Sequence, residues 1–82
     1  MPYLKMRWEK HENQRYYEVL VDHDLFGCVV TRIWGSKGTS LGRIVHRPCC
    51  DFEEGKSQMM VINKQRQQRG YVLVTQEGQG YD

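Results

Sequence analysis

The chain has 82 residues, 39% of them hydrophobic, and a formal net charge of +2. A chain this short removes only about 60% of its unfolded surface from water on folding, which excludes a second core and a deep enclosed active site beside the first. No stretch approaches the roughly 20 apolar residues of a membrane span, so two Trp, five Tyr and two Phe must supply much of a small aqueous-phase core.

Residues 3–9 alternate, with Leu4, Met6 and Trp8 on one side and Tyr3, Lys5, Arg7 and Glu9 on the other. A period of two predicts a strand with one buried face. Lys10-His11-Glu12-Asn13-Gln14 is a polar run and predicts a loop. Alternation resumes over residues 15–22, grouping Tyr17, Val19 and Val21 on a second strand. Asp22-His23-Asp24 is expected to close a hairpin, and Leu25 to Trp34 again reads as a strand. Gly35-Ser36-Lys37-Gly38-Thr39-Ser40 breaks that run, because two glycines in four residues suit a turn with positive φ. Leu41 to Arg47 form the fourth predicted strand, ended by Pro48, which lacks a backbone donor. Asp51 is the expected N-cap of a helix, with Glu53 and Glu54 in its first turn. Phe52, Gly55, Met59, Ile62 and Arg66 mark the inward helical face, Met59 and Met60 serve as core filling, and Lys56, Asn63, Lys64 and Gln67 lie on the polar side. Gly70 stops the helix, and Tyr71-Val72-Leu73-Val74 make a short last strand. The expectation is therefore an α+β fold: a four- to five-stranded antiparallel sheet with one helix packed across it. One domain spans residues 1–75, with a flexible tail over residues 76–82 in a polar stretch that begins at Thr75.

Charge is unevenly distributed. Between Asp24 and Asp51 there is no acidic residue, yet Arg32, Lys37, Arg43 and Arg47 all lie there, with His46 among them. The first 24 residues are mixed in sign. Local positive charge of this kind can attract a polyanion even when the whole chain is nearly neutral.

The segments Tyr16-Tyr17-Glu18-Val19, Val29-Val30-Thr31-Arg32-Ile33-Trp34-Gly35-Ser36-Lys37-Gly38-Thr39 and Leu41-Gly42-Arg43, followed by a helix and Gln68-Arg69-Gly70-Tyr71, resemble the WGR domain. That family occurs in poly(ADP-ribose) polymerases and in bacterial proteins, including short stand-alone ones. The resemblance covers about residues 3–74 in order, and it implies nucleic-acid (DNA) binding of low sequence specificity. It departs from the family at Ser36, where an arginine is usual; serine offers a single hydroxyl in place of a planar five-donor fork.

Position for position, Trp34 matches the family tryptophan that contacts DNA at a break. An indole can stack on a base or sugar, a contact worth roughly 1–3 kcal/mol per base. It can equally pack over the sheet or the turn glycines, and both readings stand on the sequence alone. Arg32 shares a strand face with Trp34, Arg43 and Arg47 share a face of the next strand, and Lys37 lies in the turn. Together they are expected to make a basic patch that grips phosphates, framed by Gly35, Ser36 and Gly38. The alternative is a protein-interaction or regulatory module without nucleic-acid contact.

His46, Cys49, Cys50 and Asp51 invite a metal reading, but structural zinc sites draw on separated ligand pairs and adjacent cysteines serve one ion poorly. Half-buried thiols in a strand-to-helix connection are the expectation, with neither metal nor cofactor. The three cysteines suit no disulfide framework and agree with a reducing compartment. With no apolar leader in Met1-Pro2-Tyr3-Leu4-Lys5, the cytoplasm is the expected location. His11, His23 and His46 are dispersed and no nucleophile–base pair is evident, so no catalytic residue is assigned. An enzyme acting through Cys49 or Cys50 would need a thiol with a lowered pKa.

Overall fold

A computed structural model describes residues 2–39 and 42–79. The elements in chain order are β1 (Tyr3–Lys10), a single 3₁₀ turn (His11–Asn13), β2 (Arg15–Asp24), β3 (Gly27–Ser36), β4 (Gly42–Pro48), α1 (Phe52–Gln68) and β5 (Val72–Gln79). The strands form one antiparallel sheet in the order β4-β3-β2-β1-β5, crossed on one face by α1. Among the described residues no helix is long and apolar enough to cross a membrane.

The core follows from the alternation. Leu4, Met6 and Trp8 of β1, Tyr17, Val19 and Val21 of β2 and Val30 of β3 are buried on one sheet face with Met59 and Ile62 of α1. Helix α1 begins where the sequence places it: Asp51 is extended, and its side chain accepts a hydrogen bond of 2.8 Å from the Glu54 amide. Gly55 faces the sheet at close range. A Cβ built there would come 2.5 Å from Val21 Cγ1 and 3.3 Å from Cys49 Sγ, so the first helical turn lies against β2 and the start of the β4–α1 connection.

Five expectations need correction. Gly35 and Ser36 do not belong to the turn but close β3, paired with Tyr16 and Arg15 of β2. The β2–β3 hairpin does not turn at Asp22-His23-Asp24: the ladder runs on to Asp24 opposite Gly27, and Leu25 and Phe26 form the turn. Asp24 Oδ1 accepts from the Phe26 amide at 2.7 Å, the short local bond that favours an acid before a tight turn. The chain from Thr75 to Gln79 is not a tail but the second half of β5, paired with β1 from Arg7 to Tyr3; residues 80–82 lie outside the described residues. Met60 is 44% exposed rather than core filling. Asn63, assigned to the polar helix side, accepts a 2.9 Å hydrogen bond from Nε1 of the fully buried Trp8. The start of β4 was placed at Leu41, which lies outside the described residues.

Candidate nucleic-acid interface

The pairing registers define rows across the helix-bearing face. One runs Leu73–Trp8–Tyr17–Trp34–Arg43, the next Gln76–Met6–Val19–Arg32–Val45, and a third Gly78–Leu4–Val21–Val30–Arg47. Each row is apolar or aromatic at its centre, beneath α1. On β4 the rows end in Arg43, Val45 and Arg47, with both arginines exposed. Period-two alternation thus puts Arg32, Trp34, Arg43 and Arg47 on one face, as expected. They are not one compact cluster, because Arg43 and Arg47 are four residues apart, about 13 Å along a strand. They form a strip along the sheet edge.

Trp34 takes the packed position considered for it, yet remains half-buried rather than enclosed. Its ring stacks on Tyr17, with centroids 5.7 Å apart and planes 12° apart, and Trp8 meets Tyr17 edge-on at 6.1 Å. The Arg66 guanidinium lies 4.5 Å from the Tyr17 ring centroid and 5.2 Å from that of Tyr71. The indole is therefore held by aromatic contacts, while it also lines a shallow depression of about 300 Å³. Arg15, Gly35, Ser36, Gly42 and Arg43 complete the lining. Arg15 was not expected here. It stands directly across the β2–β3 ladder from Ser36, as Arg43 stands across the β3–β4 ladder from Trp34. Two guanidinium groups, one hydroxyl and an indole thus border one hollow.

Just past the hollow, β3 ends in a turn at Lys37 and Gly38. Gly38 has a φ of 78°, which glycine alone adopts without strain. The Lys37 amide donates to the Gln14 carbonyl at 2.7 Å, tying this turn to the loop between β1 and β2.

Lys37 itself does not join the strip. Its Nζ lies 2.9 Å from Glu9 Oε1, on the opposite sheet face. Glu9 also accepts from Arg7 Nε at 3.0 Å, while Glu18 meets Arg7 at 3.3 Å and Lys5 at 3.9 Å. Lys37, and then Arg7, hold the Glu9 carboxyl below its ordinary pKa. For Arg7, burial opposes the charge, but its bonds to Glu9 and Glu18 outweigh that and raise its pKa. The cations of this second face are thus matched by carboxylates. Among the described residues Arg15, Arg32, Arg43 and Arg47 make no ion pair.

Past this charged ladder, the second face carries a groove of about 520 Å³ in which Leu20, Val29, Ile33 and Ile44 give way to Asp22, His23 and Asp24 toward the hairpin. Thr31 and His46 also line it, and their side chains hydrogen-bond at 2.9 Å. At the nearby hairpin tip Leu25 and Phe26 are each 96% exposed.

Of the two thiols expected to be half-buried between β4 and α1, Cys49 is so and Cys50 is exposed. Cys49 meets Cys28, with sulfur atoms 2.7 Å apart. Burial first, and then Cys28, push the Cys49 thiol up to about 12. Glu54 raises Cys50 by accepting its hydrogen bond. Both shifts run opposite to the activation of a nucleophile. Among the described residues no group of three or more His, Cys, Asp or Glu side chains gathers to hold a metal ion. Comparison of the chain with models of known protein families, with curated proteins and with solved structures returned no match.

Proposed function

We propose that this chain is a WGR-type module that binds nucleic acid, DNA first, with little sequence preference and without catalysing a reaction. One observation carries the reading. On the face that bears Trp34, the guanidinium groups of Arg15, Arg32, Arg43 and Arg47 have no carboxylate partner among the described residues, whereas Lys5, Arg7 and Lys37 on the other face do. Unmatched cations beside an anchored aromatic ring suit a phosphate backbone with one stacked sugar or base. Ser36 fits this reading, because Arg15 brings a guanidinium to the hollow from the neighbouring strand, across from the position where the family has its arginine. The stack on Tyr17 holds the indole in place before binding, so little side-chain entropy is lost on contact.

The test is a titration of labelled nicked, blunt and single-stranded DNA at low salt. Trp34→Ala is expected to weaken binding roughly ten- to a hundredfold, and Arg15→Ala or Arg43→Ala to weaken it on all substrates alike. Circular dichroism checks that the Trp34 variant keeps its fold without the Tyr17 stack. Absence of binding at about 50 mM salt would overturn the reading. Binding indifferent to loss of these arginines would turn attention to a second one, protein docking, favoured by the fully exposed Leu25 and Phe26 and the groove beside them.

A further inference from the structure

Cys28 is the second residue of β3, and Cys49 follows the last residue of β4. The β3–β4 register pairs Val29 with Pro48, so the next step along the ladder sets Cys28 opposite Cys49. The Cys49 amide donates to the Cys28 carbonyl at 3.0 Å, which shows that the backbone ladder extends to this pair. Directly opposed residues of this kind have Cα atoms about 5.5 Å apart, inside the range of roughly 4.4–6.8 Å that a disulfide spans. The two side chains point to the same face, and their sulfur atoms are already 2.7 Å apart. The third cysteine, Cys50, is exposed, and its backbone amide donates to Glu54 Oε1 at 3.3 Å in the first helical turn.

We propose that Cys28 and Cys49 are a disulfide-forming pair, a covalent modification site at which a low-molecular-weight disulfide oxidant staples β4 and the start of α1 to β3. This inference is independent of the nucleic-acid reading. Cys28 is buried and Cys49 half-buried, so Cys49 meets the oxidant first. Its thiolate attacks one sulfur of the oxidant RSSR, forming a mixed disulfide and expelling RS⁻. The Cys28 thiolate then attacks Cys49 Sγ and expels the second RS⁻. Two thiols lose two protons and two electrons, and the oxidant takes them up as two RSH.

The location gives the bond a consequence. As an edge strand, β4 pairs with β3 alone, and it carries the exposed Arg43 and Arg47. Helix α1 begins only two residues after Cys50, with Gly55 packed close to Cys49 Sγ. A bond between residues 28 and 49 therefore fixes the edge strand and the helix start together. Reaction is slow at neutral pH because little of the Cys49 thiol is ionised, and it quickens as pH rises toward 12. An oxidising excursion must be sustained to set the staple.

The experiment exposes the reduced full chain to oxidised glutathione at about pH 8, traps free thiols with N-ethylmaleimide, and weighs the intact protein. The expected product has lost two hydrogens, carries maleimide or glutathione on Cys50 alone, and yields a Cys28–Cys49 cross-linked peptide under non-reducing digestion. Its Tm rises on the order of 10 °C and returns with dithiothreitol. Cys50→Ser keeps the bond and Cys49→Ser abolishes it. Three maleimide adducts after prolonged exposure would overturn the proposal, as would a cross-link that runs through Cys50. The measurement on the unsubstituted chain decides even where replacement of buried Cys28 impairs folding.

Discussion

Asn63 shows what a single polar residue can do inside this fold. Helical periodicity places it with Lys56, Lys64 and Gln67, yet its Oδ1 accepts the only donor of an indole that has no solvent access. A donor left unpaired in the core costs about 1–3 kcal/mol. Asn63→Ala is therefore expected to lower unfolding stability by about that amount in urea, at unchanged m-value, because the buried indole loses its partner. The exposed Gln67 amide, which also donates to Asn63 Oδ1 at 3.2 Å, can turn to water. A loss below about 0.5 kcal/mol would mean that the Trp8 N–H finds another acceptor. The site residues were legible to the same uneven degree. Strand parity is a hard geometric rule, and it put Arg32 beside Trp34 and Arg43 beside Arg47 correctly. Lys37 lies in a turn, where parity says nothing, and Glu9 captured it from a distant part of the chain. Arg15 escaped notice because the hairpin turn was placed a few residues too early. With the turn at Leu25-Phe26, the partner of Ser36 counts out directly as Arg15.

Elements were readable where local signals agreed and obscure where tertiary contact alone defined them. Helix α1 combines an acidic cap, first-turn glutamates and a three–four apolar spacing, so both its position and its inward face could be read. The second half of β5 has no such pattern: Thr75-Gln76-Glu77-Gly78-Gln79 is polar on both faces and exposed throughout. Pairing with β1 makes it a strand, and an edge strand with one neighbour need bury nothing. Gly55 gives the element scale its own test. By helix propensity alone, Gly55→Ala should stabilise α1 by about 1 kcal/mol. The packing argues the reverse, since the new methyl would fall 2.5 Å from Val21 Cγ1 beneath the helix. Overpacking of this kind costs about 1–3 kcal/mol. Set against the propensity gain, the net expectation is a destabilisation of up to about 2 kcal/mol in chemical denaturation, or a fall in Tm of up to roughly 16 °C. A stabilised variant would show that α1 can lift from the sheet at little cost.

At the scale of the whole molecule, the sheet separates two different charge environments that a net charge of +2 conceals. One face pairs Lys5, Arg7 and Lys37 with Glu9 and Glu18; the other carries Arg15, Arg32, Arg43 and Arg47 without such partners among the described residues. A polyanion gains most where no carboxylate must be displaced, so the proposed contact belongs to the second set. Counterion release turns that into a number. If all four arginines neutralise phosphates of a duplex, log K falls against log salt concentration with a slope of about −3.6, and each lost contact reduces its magnitude by about 0.9. Arg43→Ala and Arg47→Ala should each flatten the slope by that step, whereas Lys5→Ala on the opposite face should leave it alone. Fluorescence anisotropy across a salt series measures all three. Equal flattening by Lys5→Ala would mean that the polyanion engages both faces, and the division of charge by the sheet would then have no part in binding. A slope that holds near −3.6 and responds only to the unmatched arginines places the contact on the strip that Trp34 borders.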